Sequence, residues 1–252
     1  MPFVFEKPTG TRDILPEKLK QMRRISADIK ELFRRWGYEE IETPFIEYHR
    51  TVGVLSEIQE DKLIKFLDPR GKTVILRPDF TTPIARLAAS VYKDADYPVR
   101  LMYEGKVYRN EGRIGALEIN QIGMELIGEP SLEGDAEVIN LLVQAILKST
   151  QARFKVAVGH TRFLTLLLSE VGCNSLSQEQ IFQALLENDY VTYKKLVDNL
   201  QIENSFKDFL LRILKMRGSL KNIFEAQSWF DSLEWRGIFQ ELFDLWHILG
   251  QY

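Results

Sequence analysis

Six polar side chains in the first half of this 252-residue chain could recognise a small ligand. They are Asp79, Thr81, Arg109, Glu111, Gln121 and Glu125. The sequence shows no phosphate-binding glycine loop with its lysine, no nucleophile elbow and no zinc-type cluster of His or Cys residues. These side chains can therefore recognise a ligand through charge and hydrogen bonds. We expect no metal and no other cofactor.

Gln121 and Glu125 lie in the segment 118–128, "EINQIGMELIG", where apolar and polar positions alternate. Since successive side chains of a strand point to opposite faces, Ile122 and Met124 share a mostly apolar face, and Gln121, Gly123 and Glu125 share the other. Gly123 is expected to leave the floor open between the two polar side chains, which stand about 13 Å apart at about 3.3 Å per residue. This spacing suits an amino-acid-sized ligand. A solvated outer face of the sheet is the alternative.

Asp79 and Thr81 lie in "LRPDFTT", between a predicted strand and a predicted helix, where loop side chains and backbone amides can meet a ligand. The alternative is that they only end the strand and cap the helix. Arg109 belongs to "YRNE", in which an exposed Arg–Glu pair is the alternative to a site. Glu125 would accept a cationic or hydrogen-bond-donating group, Asp79 an ammonium and Arg109 a carboxylate or phosphate. A basic amino acid satisfies all three.

The amino-acid composition limits the classes of protein to which this chain can belong. With 45% hydrophobic and 27% charged residues, a net charge of -3 and a pI near 5.8, the chain is typical of a globular protein and lacks the basic footprint of a nucleic-acid binder. The single cysteine cannot form an internal disulfide, and the three histidines have no metal-ligand spacing. Because the N-terminus is charged and no apolar run reaches membrane-spanning length, we expect a cytoplasmic protein and no membrane partner.

The elements that must position these side chains follow from spacing and from turn residues. Apolar residues at helical spacing predict a helix from Pro16 to Trp36, with Gly37 as its stop. The stretch "DPRG" between two β-prone runs predicts a hairpin, and "TTPIARLAASVY" predicts a helix with a threonine as its N-cap. The patterns further predict two strands in "PVRLMYEGKVYRNE", broken at Glu104 and Gly105, a strand at 118–128, a helix at 134–150 and a strand at 152–160.

From residue 161 to 250 the pattern is helical, with expected breaks at "VGCNS", "MRGS" and "WRG". The predicted domains are therefore a mixed sheet core, residues 1–166, and a helical region, residues 167–252.

The motifs "GTRDILPE", "GYEEIETPFIE", "LRPDFT", "YRNE", "NQIGMELIG" and "DAEVI" occur in this order. Their order and spacing resemble the catalytic core of class II aminoacyl-tRNA synthetases, specifically histidyl-tRNA synthetase. The resemblance implies an α+β fold with a class II aminoacyl-tRNA synthetase-like antiparallel sheet flanked by helices. It also implies that residues 167–250 correspond to a mostly helical insertion.

The resemblance further implies a histidine-binding site. By position, Asp79 and Thr81 correspond to the pocket for the amino group of histidine, and Arg109 to an arginine that contacts the phosphate and carboxylate region. Gln121 corresponds to a contact with the backbone of the amino acid, and Glu125 to the carboxylate that faces the imidazole.

The departures from the synthetase pattern favour a non-catalytic relative. Glu111 matches an acidic residue near the adenine, but Gly112 and Leu117 stand where arginines are expected, and Glu118 adds negative charge. Without those arginines a triphosphate is poorly neutralised. Together with "RPDFT" for "RPEGT", "VGV" at 52–54 and "ELIG" at 125–128, these changes resemble the family of ATP phosphoribosyltransferase regulatory subunits.

That second resemblance implies an allosteric role without aminoacylation. The partner would be a short-form catalytic subunit of ATP phosphoribosyltransferase in the first step of histidine biosynthesis, histidine would be the allosteric ligand, and no tRNA would bind. Class II cores commonly pair through their first motif, so residues 37–48 are expected at a homodimer interface within a hetero-oligomer. The chain ends at "WHILGQY", before an expected tyrosine-containing motif, which suggests part of a longer protein with an incomplete site.

Two other functions compete with this one. The first is a catalytic histidyl-tRNA synthetase core that activates histidine with ATP, for which a basic motif 2 loop is expected. The second is a synthetase-like module that only binds protein or RNA, which would not require Asp79, Gln121 and Glu125 in ligand geometry.

Overall fold

The computed structural model describes residues 5–110, 117–170, 172–213 and 232–252. The contacts divide the chain into two compact units, Met1–Ala152 and Arg153–Tyr252, a division that falls earlier than the boundary predicted near residue 166. Glu111 and Gly112, from the motif 2 region, lie outside the described residues, as does the predicted break at "MRGS".

The first unit is an α+β unit with two three-stranded sheets. Its strands are β1 (Glu39–Glu40), β2 (Ile46–Tyr48), β3 (Lys65–Leu67), β4 (Thr73–Leu76), β5 (Val99–Tyr108) and β6 (Glu118–Ile127), and its helices are α1 (Pro16–Arg35), α2 (Thr81–Val91) and α3 (Leu132–Ser149). The sheet orders are β1-β5-β6 and β2-β4-β3. Pairing is antiparallel except for the short β1, which runs parallel to β5.

The predicted helices and the hairpin of this unit are confirmed. Gly37 follows α1 with a φ of 83°, the left-handed conformation that ends helices. In the β3–β4 turn Gly71 has a φ of 75°, and the Asp68 carboxylate accepts hydrogen bonds from the amides of Arg70 and Lys72. A proline and a glycine in "DPRG" thus supply the turn geometry that the sequence indicated.

Two strand predictions are wrong. β5 is one continuous strand through Glu104 and Gly105, because the missing side chain at Gly105 leaves room for the Arg77 guanidinium rather than breaking the strand. Residues 152–160 form no strand, and Val156 and Val158 are 38% and 45% exposed. A strand needs a ladder partner for its backbone groups, and no ladder is assigned to this segment among the described residues.

The long β5–β6 hairpin separates two apolar clusters. On one face Met102, Ile122 and Met124 pack with side chains of α1 and α3. On the other face Leu101 and Tyr103 pack with Phe80 and Ile84, at the beginning of α2. The alternation predicted for β6 is thus realised, and its polar positions lie on the face that carries α2.

The second unit is helical in its described residues. Its helices are α4 (Thr161–Glu170), α5 (Ser175–Leu186), α6 (Tyr190–Asn199), α7 (Asn204–Ile213) and α8 (Leu233–Leu249). The predicted break at "WRG" is wrong, since Gly237 lies inside α8. The packing of Trp235, Ile238 and Phe239 into the core of this unit outweighs the roughly 1 kcal/mol that a glycine costs a helix interior.

Candidate ligand-binding site

Four of the five predicted ligand-binding residues lie on neighbouring elements of the first unit. Gln121 and Glu125 project from β6, whereas Asp79 and Thr81 lie at the beginning of α2. The Thr81 hydroxyl donates a hydrogen bond of 2.9 Å to Oε1 of Glu125, which joins the two elements directly. The structure therefore brings together residues that are more than forty positions apart, as a ligand pocket requires.

Glu125 is a half-buried carboxyl whose ionisation is disfavoured. Burial raises its pKa first, the charge of Asp79 raises it further, and the hydrogen bond from Thr81 partly offsets both. A carboxylate that is short of solvent and close to a second carboxylate gains from a positive or hydrogen-bond-donating partner. This arrangement suits a ligand that brings an N–H group.

Asp79 belongs to the cluster formed by Asp79, Thr81, Gln121 and Glu125, and it also has a structural role. Its Oδ1 accepts a 2.9 Å hydrogen bond from the backbone amide of Thr82, and its Oδ2 accepts a 2.7 Å bond from the Ser56 hydroxyl. Asp79 thus satisfies an amide in the first turn of α2, while Thr81 uses its side chain for Glu125. The threonine N-cap prediction is therefore wrong, because the N-cap residue of α2 is Phe80. Asp79 lies one residue before this cap and accepts from the amide of Thr82. An ionised carboxylate offers about four lone pairs, so it can still accept from a ligand.

The predicted open floor at Gly123 is wrong, because Tyr103 occupies it. Tyr103 is paired across the strands with Gly123, and a β-carbon at Gly123 would lie 2.4 Å from the phenolic oxygen. The Gln121 amide donates to that oxygen at 3.2 Å. Burial, followed by the negative charges of Glu125 and Asp79, raises the pKa of Tyr103 to about 12. A neutral phenol therefore lies between the two polar side chains of β6.

Arg109 is held by hydrogen bonds to two backbone carbonyls. Its side-chain Nε donates a 2.7 Å hydrogen bond to the carbonyl of Pro78, next to Asp79, and its amide donates to the carbonyl of Leu117 at 3.1 Å. The guanidinium is thereby directed to the loop that precedes α2. A positive group at this point complements the carboxylates of the cluster and could meet an anionic end of a ligand.

Sequence reasoning missed Tyr103 and Ser56. Tyr103 could have been found by pairing β5 with β6 in antiparallel register, since an aromatic residue opposite a glycine covers the gap that the glycine leaves. Ser56 lies in an irregular segment with no periodic pattern, and nothing in the sequence indicated its bond to Asp79.

The described residues offer neither a membrane-spanning helix nor a metal-binding cluster. No helix among them is long and apolar enough to cross a membrane. Within the same part of the chain, His, Cys, Asp and Glu side chains form no group of three or more that could hold a metal ion.

Replacement of Glu125 by glutamine is expected to stabilise the ligand-free protein at neutral pH. A raised pKa in the folded state means that the stability contributed by protonated Glu125 is complete below the unfolded pKa, about 4.3, and is lost as the pH rises through the folded pKa. The amide never ionises and can still accept from Thr81. The difference in melting temperature between Glu125→Gln and the wild type should therefore grow from pH 5 to pH 8.

The control is Glu118→Gln on the same strand, where Glu118 forms an ion pair with Lys106. It should give no such gain. A Glu125→Gln variant that is less stable than the wild type at pH 8 would contradict the assigned burial of this carboxylate.

Comparisons with known proteins agree with the motifs. A family model described as histidyl-tRNA synthetase matches residues 10–252. The ATP phosphoribosyltransferase regulatory subunit of Halalkalibacterium halodurans is 41% identical over 254 residues, covering 100% of this chain and 64% of that protein. The subunit of the same name from Bacillus subtilis is 39% identical and covers 99% of this chain and 64% of its own length. The chain thus spans less than two thirds of these curated relatives.

Solved structures show the same similarity. A crystal structure of an ATP phosphoribosyltransferase regulatory subunit/histidyl-tRNA synthetase from Bacillus halodurans matches with a TM-score of 0.93 and 40% identity, covering 100% of this chain and 66% of that one. A histidine–tRNA ligase subunit from Alicyclobacillus acidocaldarius, at 24% identity and a TM-score of 0.72, shares the fold. The predicted class II synthetase-like fold and the resemblance to the regulatory subunits are confirmed.

Proposed function

The chain belongs to the histidyl-tRNA synthetase family, and we propose that within it the chain acts as a non-catalytic regulatory subunit of ATP phosphoribosyltransferase. The observation that carries this proposal is the similarity to the regulatory subunits of Halalkalibacterium halodurans and Bacillus subtilis, which extends over practically the whole chain at about 40% identity. The partner is a short-form catalytic subunit that joins ATP to phosphoribosyl pyrophosphate, the first step of histidine biosynthesis. The complex would work in the cytoplasm.

The motif 2 region supports a regulatory rather than a catalytic role. Leu117 stands where an ATP-contacting arginine is expected in a synthetase, and its amide donates to the carbonyl of Gly10 at 2.8 Å, so it ties the N-terminal loop to the start of β6. A leucine cannot neutralise a triphosphate. A loss of aminoacylation activity follows, and no tRNA is expected to bind.

The ligand of the cluster is proposed to be histidine. Glu125 accepts a ring N–H of the imidazole, and Thr81 holds that carboxylate in place. Asp79 accepts from the α-ammonium, Arg109 faces the carboxylate, and Gln121 contacts the backbone of the amino acid. Because both acidic groups are acceptors, the pocket favours a ligand with N–H donors at its two ends.

Feedback inhibition then requires that histidine bind one state of the complex better than another. The start of α2 connects these residues to other parts of the unit, because Asp79 bonds both to the first turn of the helix and to Ser56. Ligand binding at Asp79 and Glu125 is therefore expected to shift α2 and the segment that carries Ser56.

Reconstitution tests the regulatory role. The full-length protein that contains this chain is mixed with a short-form catalytic subunit from the same organism, and the rate of phosphoribosyl-ATP formation is compared with that of the catalytic subunit alone. Activation supports the proposal. A protein that fails to activate but catalyses histidine-dependent exchange of pyrophosphate into ATP would instead be a synthetase, the candidate that the names of the relatives do not favour.

A homodimer through the β2-β4-β3 sheet is a second expectation. Ile46, Tyr48 and Phe66 lie on one face of this sheet, on the strands that flank Val74, and each is exposed by more than a third. An apolar face of this kind marks an interaction surface. Ile46→Glu is expected to shift the protein from dimer to monomer at micromolar concentration in analytical ultracentrifugation, because it places a charge in the interface.

The control for this experiment is Leu142→Glu, at an exposed apolar position on α3. It should leave the dimer intact. A wild-type protein that is monomeric at micromolar concentration would contradict the assignment.

A further inference from the structure

Glu47 of β2 and Arg86 of α2 form an ion pair that holds the helix against the strand. The Glu47 side chain is 7% exposed, whereas its neighbours Ile46 and Tyr48 lie on the exposed face of the same sheet. Nη2 of Arg86 donates a hydrogen bond of 2.8 Å to Oε1 of Glu47. Because α2 begins at Thr81, the pair connects the helix that carries part of the candidate ligand site with the strand of the proposed homodimer face.

The pair uses only part of the hydrogen-bonding edge of the guanidinium. Nε of Arg86 is buried and donates to no residue that the structure describes, although it lies on the same edge as Nη2. In another ion pair of the first unit this edge is fully used, since Nε and Nη2 of Arg100 donate to both carboxylate oxygens of Glu137, at 2.9 and 2.8 Å. A buried donor without an acceptor costs free energy. A small movement of α2 relative to β2 that brings Nε to the second oxygen of Glu47 removes this cost and gives a stronger, two-bond pair.

We propose that the Arg86–Glu47 pair transmits the effect of the bound ligand from α2 to β2 by changing between a one-bond and a two-bond arrangement. This inference rests on the proposed histidine site. Asp79 and Thr81 bond at the beginning of α2, so a ligand that engages them acts on the helix, and Arg86 lies five residues after Thr81, about 7.5 Å along the same rigid element. Coupling between two sites requires an element with two discrete arrangements that both sites bias. Arg86 is thus a positioning residue, which acts through Glu47 and does not touch the ligand.

Arg86→Lys tests the inference, because lysine keeps the positive charge but has no planar edge that could make two parallel bonds to Glu47. The full-length protein that contains this chain is reconstituted with a short-form catalytic subunit. Histidine binding is measured by titration calorimetry, and the rate of phosphoribosyl-ATP formation is measured on the same complex at saturating histidine. We expect histidine affinity to stay within about threefold of the wild type, because the proposed ligand contacts are kept, and the residual rate to be about five- to tenfold higher. Glu47→Gln, which leaves one acceptor oxygen for the same edge, should show the same combination.

Arg100→Lys is the matched control. It removes a bond from the two-bond pair with Glu137, which links β5 to α3 and does not involve α2. Both histidine binding and the extent of inhibition should remain as in the wild type. A variant that only loosens the fold loses binding and inhibition together, so retained binding with lost inhibition distinguishes transmission from a structural role.

The outcomes separate the two hypotheses. A wild-type complex that does not bind histidine overturns the proposed site and the transmission role with it. A wild type that binds histidine without being inhibited overturns the feedback and transmission roles and leaves the site standing. If the wild type is inhibited and Arg86→Lys is inhibited as strongly, or loses binding and inhibition in parallel, only the transmission role is wrong. The same holds if Arg100→Lys reproduces the effect of Arg86→Lys.

Discussion

Glu125→Ala is expected to weaken histidine inhibition of the reconstituted complex strongly, while its activation by the regulatory subunit persists. The side chain accepts a 2.9 Å bond from Thr81, and its partly buried carboxylate forms no ion pair with any residue that the structure describes. Hydrogen bonds to charged groups contribute about 1.5–3 kcal/mol, so removal of this carboxylate should raise the inhibitory histidine concentration by roughly 10- to 150-fold. The measurement is the rate of phosphoribosyl-ATP formation across a histidine titration.

The matched control is Glu118→Ala, which removes a carboxylate from the other end of the same strand. Glu118 pairs with Lys106, and its loss should leave the histidine response unchanged. Unchanged inhibition in Glu125→Ala, with the expected behaviour of the control, would refute the placement of the imidazole at this carboxylate.

Arg77→Met is expected to destabilise the first unit strongly. The Arg77 side chain is 5% exposed and lies after β4, where it donates to the carbonyls of Thr43 at 2.6 Å and Lys106 at 2.9 Å. It thereby connects the two sheets of the first unit, and its guanidinium also lies 4.0 Å from the centroid of the Phe80 ring. Methionine keeps much of the apolar volume but leaves two carbonyls without their donor, at a cost of about 3 kcal/mol.

Hydrogen exchange of peptides from β5 and β6 measures the loss of stability in the first unit. Arg77→Met should expose these amides to exchange far more often, whereas Arg34→Met should not, because Arg34 pairs with Glu31 on the solvent side of α1. A surface pair contributes less than about 1 kcal/mol. Equal protection in the two variants would show that the buried guanidinium does not connect the sheets.

The sequence predicted those parts of the site that depend on local periodicity. Alternation along 118–128 was enough to place Gln121 and Glu125 on one face, because the period of a strand is fixed by its backbone. The position of Asp79 between a strand and a helix was likewise readable from Pro78 and the following threonines. The assignment of the five residues to histidine remains a prediction that depends on the family resemblance.

The features that the sequence could not predict depend on contacts with residues that are distant in the chain. From the sequence, Gly105 predicts a strand break, because the sequence does not show that Arg77 occupies the space of the missing side chain. Gly123 reads as an open floor until Tyr103 is paired with it across the sheet. Gly237 reads as a helix stop until the packing of the flanking aromatic residues is seen. At Gly105 and Gly237 tertiary contacts override the local preference of a glycine, and at Gly123 a side chain from the neighbouring strand fills the space.

The central claim is that this chain conveys histidine feedback to a catalytic partner. The most direct test measures the initial rate of phosphoribosyl-ATP formation by the reconstituted complex of the full-length protein as histidine is increased at fixed substrate concentrations. We predict that histidine lowers the rate toward that of the catalytic subunit alone, with an inhibitory concentration that Glu125→Ala raises. A rate that stays at its activated level at millimolar histidine would contradict the account.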